Sequence, residues 1–161
     1  MTIDMNTQKA FTDLIGKNCC RQRVGRGRSL SMGFGEKVAH SKPKTEDPFY
    51  GEWEVGSYSS AWRIVREGRV VCGSSDVVDS IKDLDERLQA ITLGSVMLVE
   101  TLSLLDIRVK LDNGVFIDFI CASKEDDEMF HIFGPENLYV EYACPDGWRI
   151  GKSNVPWVSA P

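Results

Sequence analysis

The chain has 161 residues, 42% of them hydrophobic, and a formal net charge of -5 at pH 7. That makeup suits one globular core and excludes fibrous and low-complexity classes, while no apolar run reaches the roughly eighteen residues of a membrane helix. Residues 1–45 carry nine Lys/Arg against three Asp/Glu, whereas residues 46–161 carry ten against twenty-one, or -11. The larger part is therefore a poor surface for phosphate and a better one for a basic partner. Five cysteines, two of them adjacent, fit reduced thiols better than a disulfide framework. The first ten residues lack the basic-then-apolar pattern of a secretory signal, so a cytoplasmic location is expected.

In chain order, Met5, Ala10, Phe11, Leu14 and Ile15 share one helical face. With Asn6 or Thr7 as cap and Gly16 as the stop, they predict a short amphipathic N-terminal helix. Four arginines follow between Arg21 and Arg28; Arg21 and Arg23 alternate as the wet face of a strand would. A nucleotide site is disfavoured there, because Gly25-x-Gly27 has no third glycine and no Gly-Lys-Ser/Thr follows. Leu30, Met32 and Phe34 alternate toward a turn expected at Gly35-Glu36. Residues 41–48 hold two prolines and no apolar residue, and so read as a loop. Tyr50 and Trp53 come next, and such aromatics either close a core or anchor a partner. Trp53–Val55 and Ala61–Ile64 are expected to pair as strands, with a turn at Glu67-Gly68 leading into Val70–Cys72. Val77, Val78, Ile81, Leu84 and Leu88 then recur at helical spacing behind Ser75 or Asp76 as cap. They predict a connecting helix at about residues 76–88; the apolar run 90–105 fits either a buried strand pair or a continuing helix, with strand the favoured reading.

The clearest stretch is 106–142. Ile107, Val109 and Leu111 alternate with Arg108, Lys110 and Asp112, and Asn113-Gly114 follows. An Asn-Gly pair between alternating runs signals a hairpin, and a type I′ turn is expected because both central residues then take positive φ. Val115 to Cys121 forms the return strand, Lys124 to Glu128 a charged loop, and 129–133 and 138–142 two further strands about a Gly-Pro turn. The expectation is a four-stranded antiparallel meander. The same pattern recurs earlier, Leu30–Phe34 matching Ile107–Leu111 at an offset of 77 residues and Ile64 matching Ile132 at 68. The fold class expected is thus α+β, mainly β. Two tandem β units at about residues 15–75 and 90–151 would share one core in a single domain, with an N-terminal and a connecting helix.

Chemistry is sparse. Only His40 and His131 are present, and His131 lies in an alternating strand, so catalysis is not the favoured reading, although Cys121 or Cys144 beside it would permit a thiol mechanism. No Cys-x-x-Cys or His-x-x-x-His spacing supports a metal, and no cofactor is expected. The one concentrated charge feature is Glu125, Asp126, Asp127 and Glu128. It lacks the alternating ligands and central glycine of a calcium loop, and is either a solvated loop or an acidic prong for a basic surface.

Taken together, an alternating run into Asp-Asn-Gly, an acidic loop, an aromatic-x-Ile strand, and Gly-Glu-Trp and Ala-Trp-Arg-Ile in a preceding unit resemble small uncharacterised bacterial β-rich domains over residues 14–151. Some of those look like immunity proteins of polymorphic toxin systems. The resemblance implies a cytoplasmic inhibitor that masks a cognate, often basic, toxin, and transfers no catalytic residue. The expected function is noncatalytic protein binding through Glu125, Asp126, Asp127, Glu128, Tyr50 and Trp53. Its alternatives are a small-molecule site between the two units and an enzyme with a Cys/His or carboxylate site.

Overall fold

The computed structural model describes residues 3–41, 48–125, 128–144 and 146–155. Among the described residues two helices, α1 (Met5–Leu14) and α2 (Ile81–Gln89), accompany eleven strands. The strands are β1 (Cys19–Val24), β2 (Leu30–Ala39), β3 (Phe49–Ser57), β4 (Ala61–Arg66), β5 (Arg69–Gly73), β6 (Val96–Thr101), β7 (Ile107–Leu111), β8 (Val115–Ile120), β9 (Glu128–Gly134), β10 (Leu138–Ala143) and β11 (Gly147–Lys152). They form a six-stranded sheet, ordered β1-β2-β3-β9-β10-β11, and a five-stranded sheet, ordered β5-β4-β8-β7-β6, antiparallel throughout. The fold is therefore α+β and mainly β. No described helix is long and apolar enough to cross a membrane.

Alternation within the strands sends Leu30, Met32, Phe34, Val55, Phe130, Ile132 and Val140 of one sheet, and Trp62, Ile64, Val109, Ile117 and Phe119 of the other, into one shared core. Phe119 and Phe130 meet across it edge to face at 4.9 Å. Helix α1 packs against β11 and β6, and α2 against β1 and β5, so each helix covers a place where edge strands of the two sheets come near each other. Leu14, Leu84 and Leu88 are the fully buried residues that hold them there.

The chain builds this plan twice. In β1·β2 and β6·β7, Gln22 faces Met32 as Val99 faces Val109, and a bulge interrupts both pairings at the same place. The first strands of the two units meet at an antiparallel bridge, Asn18 to Ser95, 77 residues apart. Cys19 N donates to Gly94 O at 3.2 Å and Val96 N to Lys17 O at 3.1 Å, a reciprocal pair about a local two-fold axis. Ser95 Oγ also bonds Asn18 Oδ1 across that axis. Ile64 and Ile132 occupy equivalent places, facing Cys72 and Val140 respectively.

Several expectations are corrected. The stretch 106–142 is not one meander, because β7 and β8 belong to the five-stranded sheet and β9 and β10 to the six-stranded one. Likewise Trp53–Val55 and Ala61–Ile64 do not pair; the chain changes sheets between them. Gly35-Glu36 does not turn the chain: Gly35, at φ +86°, forms a bulge within a continuous β2. At Asn113-Gly114 only Gly114 has positive φ, so the loop is not type I′. That geometry is found instead at Glu67-Gly68, where both φ values are positive, 53° and 73°. Helix α2 starts at Ile81 rather than 76, because Ser80 accepts from Asp83 N as N-cap, and Val77 is 96% exposed. Asp4, not Asn6 or Thr7, caps α1 by accepting from Thr7 N at 2.8 Å. Within 90–105 only β6 is strand.

Candidate functional site

Two segments carry the chain from sheet to sheet, and a cleft lies between them. Leaving β3, residues 58–60 form a tight polar turn: Ser60 N donates to Ser57 Oγ at 3.0 Å, and Ser60 Oγ donates to Met129 O at 2.6 Å. Leaving β8, Cys121 N donates to Asp106 Oδ1 at 2.8 Å and Glu125 N to Ser123 Oγ at 3.1 Å. Between them is a cleft of about 330 Å³ whose walls include Ser59, Cys121, Ser123, Glu125, Glu128 and Cys144. Among the described residues no Lys, Arg or His lines it.

Glu128 connects this cleft to the outer face of the six-stranded sheet. Its side chain is 12% exposed; Oε1 lies 3.0 Å from His131 Nδ1, and Oε2 accepts from Tyr58 N at 3.4 Å. Burial first, and then the charge of Glu128, raise the Tyr58 phenol above its ordinary range. Tyr139 is also raised, by burial and by the hydrogen bond it donates to Glu141 at 2.9 Å. His131 is ringed by aromatics, with Tyr58 at 4.6 Å and Phe133 at 5.0 Å.

The six residues expected to bind a partner do not form one surface. Glu125 is exposed at the rim of the cleft and Glu128 lies in its wall. Asp126 and Asp127 lie outside the described residues. Tyr50, exposed on β3 and 5.2 Å from His40, lines a separate hollow. Trp53 is 4% exposed and belongs to the core, which resolves the choice posed for it in favour of packing. Sequence reasoning missed Tyr58, Ser59, Ser60 and Cys144 as neighbours of the acidic loop. The turn-rich run 56–60 was the available signal, but nothing local showed that it crosses between sheets beside residues 121–129.

The Cys/His pairing considered from the sequence is not assembled in this cleft. A thiol nucleophile needs a base within hydrogen-bonding reach, yet His131 does not line the cleft that holds Cys121 and Cys144, and its Nδ1 is engaged by Glu128. Cys19 and Cys72 are pushed up to about 11, chiefly by burial, which leaves them as thiols at neutral pH. Among the described residues no group of three His, Cys, Asp or Glu side chains converges as metal ligands would. The arginine-rich segment is occupied structurally in part: Arg21 pairs with Glu54 at 2.8 Å, and Arg28 donates to the carbonyls of Ser74 and Asp76 at 2.7 and 2.8 Å. No protein-family model matches this chain, and neither a curated protein nor a solved structure matches it.

Proposed function

We propose that this chain is a noncatalytic protein-binding domain that engages a basic partner through the acidic loop at 125–128 and the cleft behind it. The sharpest form of the proposal is an immunity-type inhibitor that masks a cationic toxin. The observation that carries it is the cleft itself, with Glu125 exposed at its rim, Glu128 in its wall, and no Lys or Arg among its described lining residues. An exposed carboxylate such as Glu125 raises the encounter rate with a positive surface and can receive an arginine fork. The -11 balance of residues 46–161 acts in the same direction.

The test is a pull-down from host lysate with wild type, the E125Q/E128Q double variant and an E36Q/E67Q control of equal charge change. Retention of one basic protein by wild type and control, and its loss from the double variant, is the expected result. Equal capture by the double variant overturns the proposal.

A second reading, a small-molecule site, is favoured by one observation: the cleft lies between the two β units, and its 330 Å³ matches the lower end of ligand pockets, roughly 300–1,000 Å³. A ligand that raises Tm in wild type but not in S123W, where the indole would fill the cleft, supports that reading.

A further inference from the structure

The repeated plan lets the outer faces of the two sheets be compared position by position. Across the five-stranded sheet one row reads Arg108, Asp118, Arg63, and its equivalent in the six-stranded sheet reads Ser31, Gly56, His131. The next row reads Lys110, Phe116, Val65 in the former and Gly33, Glu54, Phe133 in the latter.

On the five-stranded face the chain covers its own carboxylate and ring with its own cations. Asp118 is fully buried and accepts from Arg63 Nε at 2.8 Å and Arg108 Nε at 2.6 Å. The Arg108 guanidinium lies 4.8 Å over the Phe116 ring, and the Lys110 ammonium lies 5.6 Å from it.

On the six-stranded face Ser31, Gly33 and Gly56 stand where Arg108, Lys110 and Asp118 stand on the other, and a trough is open. Its narrow end, about 190 Å³, is lined by Ser31, Glu54, Tyr58, His131 and Phe133 among others. Its wide end, about 560 Å³, shares Glu54 and Phe133 and adds Tyr50, Glu52 and Glu136. The opening is built into the backbone, since a side chain on Gly56 would run into the Leu30 carbonyl and one on Gly33 into Glu54.

The lining is rich in acceptors and π faces. A carboxylate can only accept, so Nδ1 of His131 donates in its bond to Glu128. The chain also shows what this lining holds: on the sheet's outer face Glu54 and Ser31 grip the guanidinium of Arg21 at 2.8 and 2.6 Å. Lys17 reaches Glu52 at 3.3 Å from the side.

We infer that the trough is a second recognition surface, which takes an extended protein segment and seats one of its arginine or lysine side chains against Glu136, Tyr50 and Phe133. Two hollows end to end exceed what one small cation fills, which favours a chain segment as the occupant. The trough shares no lining residue with the cleft, so this inference stands or falls independently of the function proposed above.

The test uses the full chain and three probes followed by NMR titration: a Gly/Ser octapeptide with one central arginine, the same peptide with citrulline, and N-acetyl-arginine amide. Saturable shifts at Tyr50 and Phe133 with the arginine peptide, and much weaker ones with citrulline, are expected. Y50A and E136Q, both exposed positions that leave the core intact, should each weaken binding roughly fivefold, the loss of one cation–π or carboxylate contact. E125Q, in the cleft and away from the trough lining, should leave it unchanged. Citrulline binding as well as arginine, the free amide binding as tightly as the peptide, or unaltered affinity in Y50A and E136Q would each overturn the inference.

Discussion

Asp118 offers the most demanding test of the energetics. It is a fully buried carboxylate on the central strand of the five-stranded sheet, holding two guanidinium groups through three hydrogen bonds of 2.6 to 2.9 Å. Burial alone would raise its pKa, but the bonds from Arg108 and Arg63 outweigh that and hold the carboxyl below its ordinary value. D118N keeps the shape and removes the charge, leaving Arg108, whose side chain is 19% exposed, facing a neutral amide. Breaking a buried pair in this way costs about 3–5 kcal/mol, which lowers Tm by on the order of 10 °C in a chain of this size. R63A removes one bond from a side chain that is 43% exposed, and after solvent screening should cost about 1 kcal/mol or less. A depressed carboxyl stabilises the fold fully above the unfolded value of about 3.9, and that stability is lost as pH falls from there through the folded pKa. Urea melts of wild type, D118N and R63A from neutral to acid pH should therefore show a constant D118N deficit that shrinks only below the ordinary aspartate range. A deficit under about 1 kcal/mol, or one equal to that of R63A, would refute the reasoning.

Two further outcomes follow from the turns and thiols. G68A should cost about 1 kcal/mol, because φ is +73° there and no atom crowds the position, leaving backbone strain as the whole effect; E67N should stabilise slightly, and differential scanning calorimetry reads both. In iodoacetamide labelling followed by mass spectrometry, Cys72 should react last at neutral pH and faster as pH approaches about 11, its thiol being buried and raised, while Cys121 and Cys144, which line the open cleft, should label first.

Strand existence and the repeat were legible because both rest on local alternation: Leu30–Phe34 and Ile107–Leu111 announce buried faces whichever sheet receives them. Sheet membership was not legible. Nothing in residues 121–129 distinguishes a hairpin loop from a segment that crosses between sheets, since the difference lies in which distant strand β9 meets, and that strand is β3. Helix α2 was placed too early because Val77 and Val78 fit the period, whereas Ser80 supplies the cap that sets the first turn. The acidic run was visible as charge, but the inward turn of Glu128 depends on His131 three residues away across the β9 surface. The trough left no sequence signal at all, being made of small residues, Ser31, Gly33 and Gly56, at positions whose meaning emerges only from the pairing of β2 with β3.

The local two-fold axis has a consequence for how this surface can specialise. An assembly of two identical halves must display every side chain twice, so a charge that helps on one face is imposed on the other. Here the two halves share one chain and one register, and each can vary alone. Position 118 carries an aspartate that closes its face while position 56, its counterpart, carries a glycine that opens one. Covalent fusion has released the two faces from having to match, so one can serve as a sealed support while the other remains open.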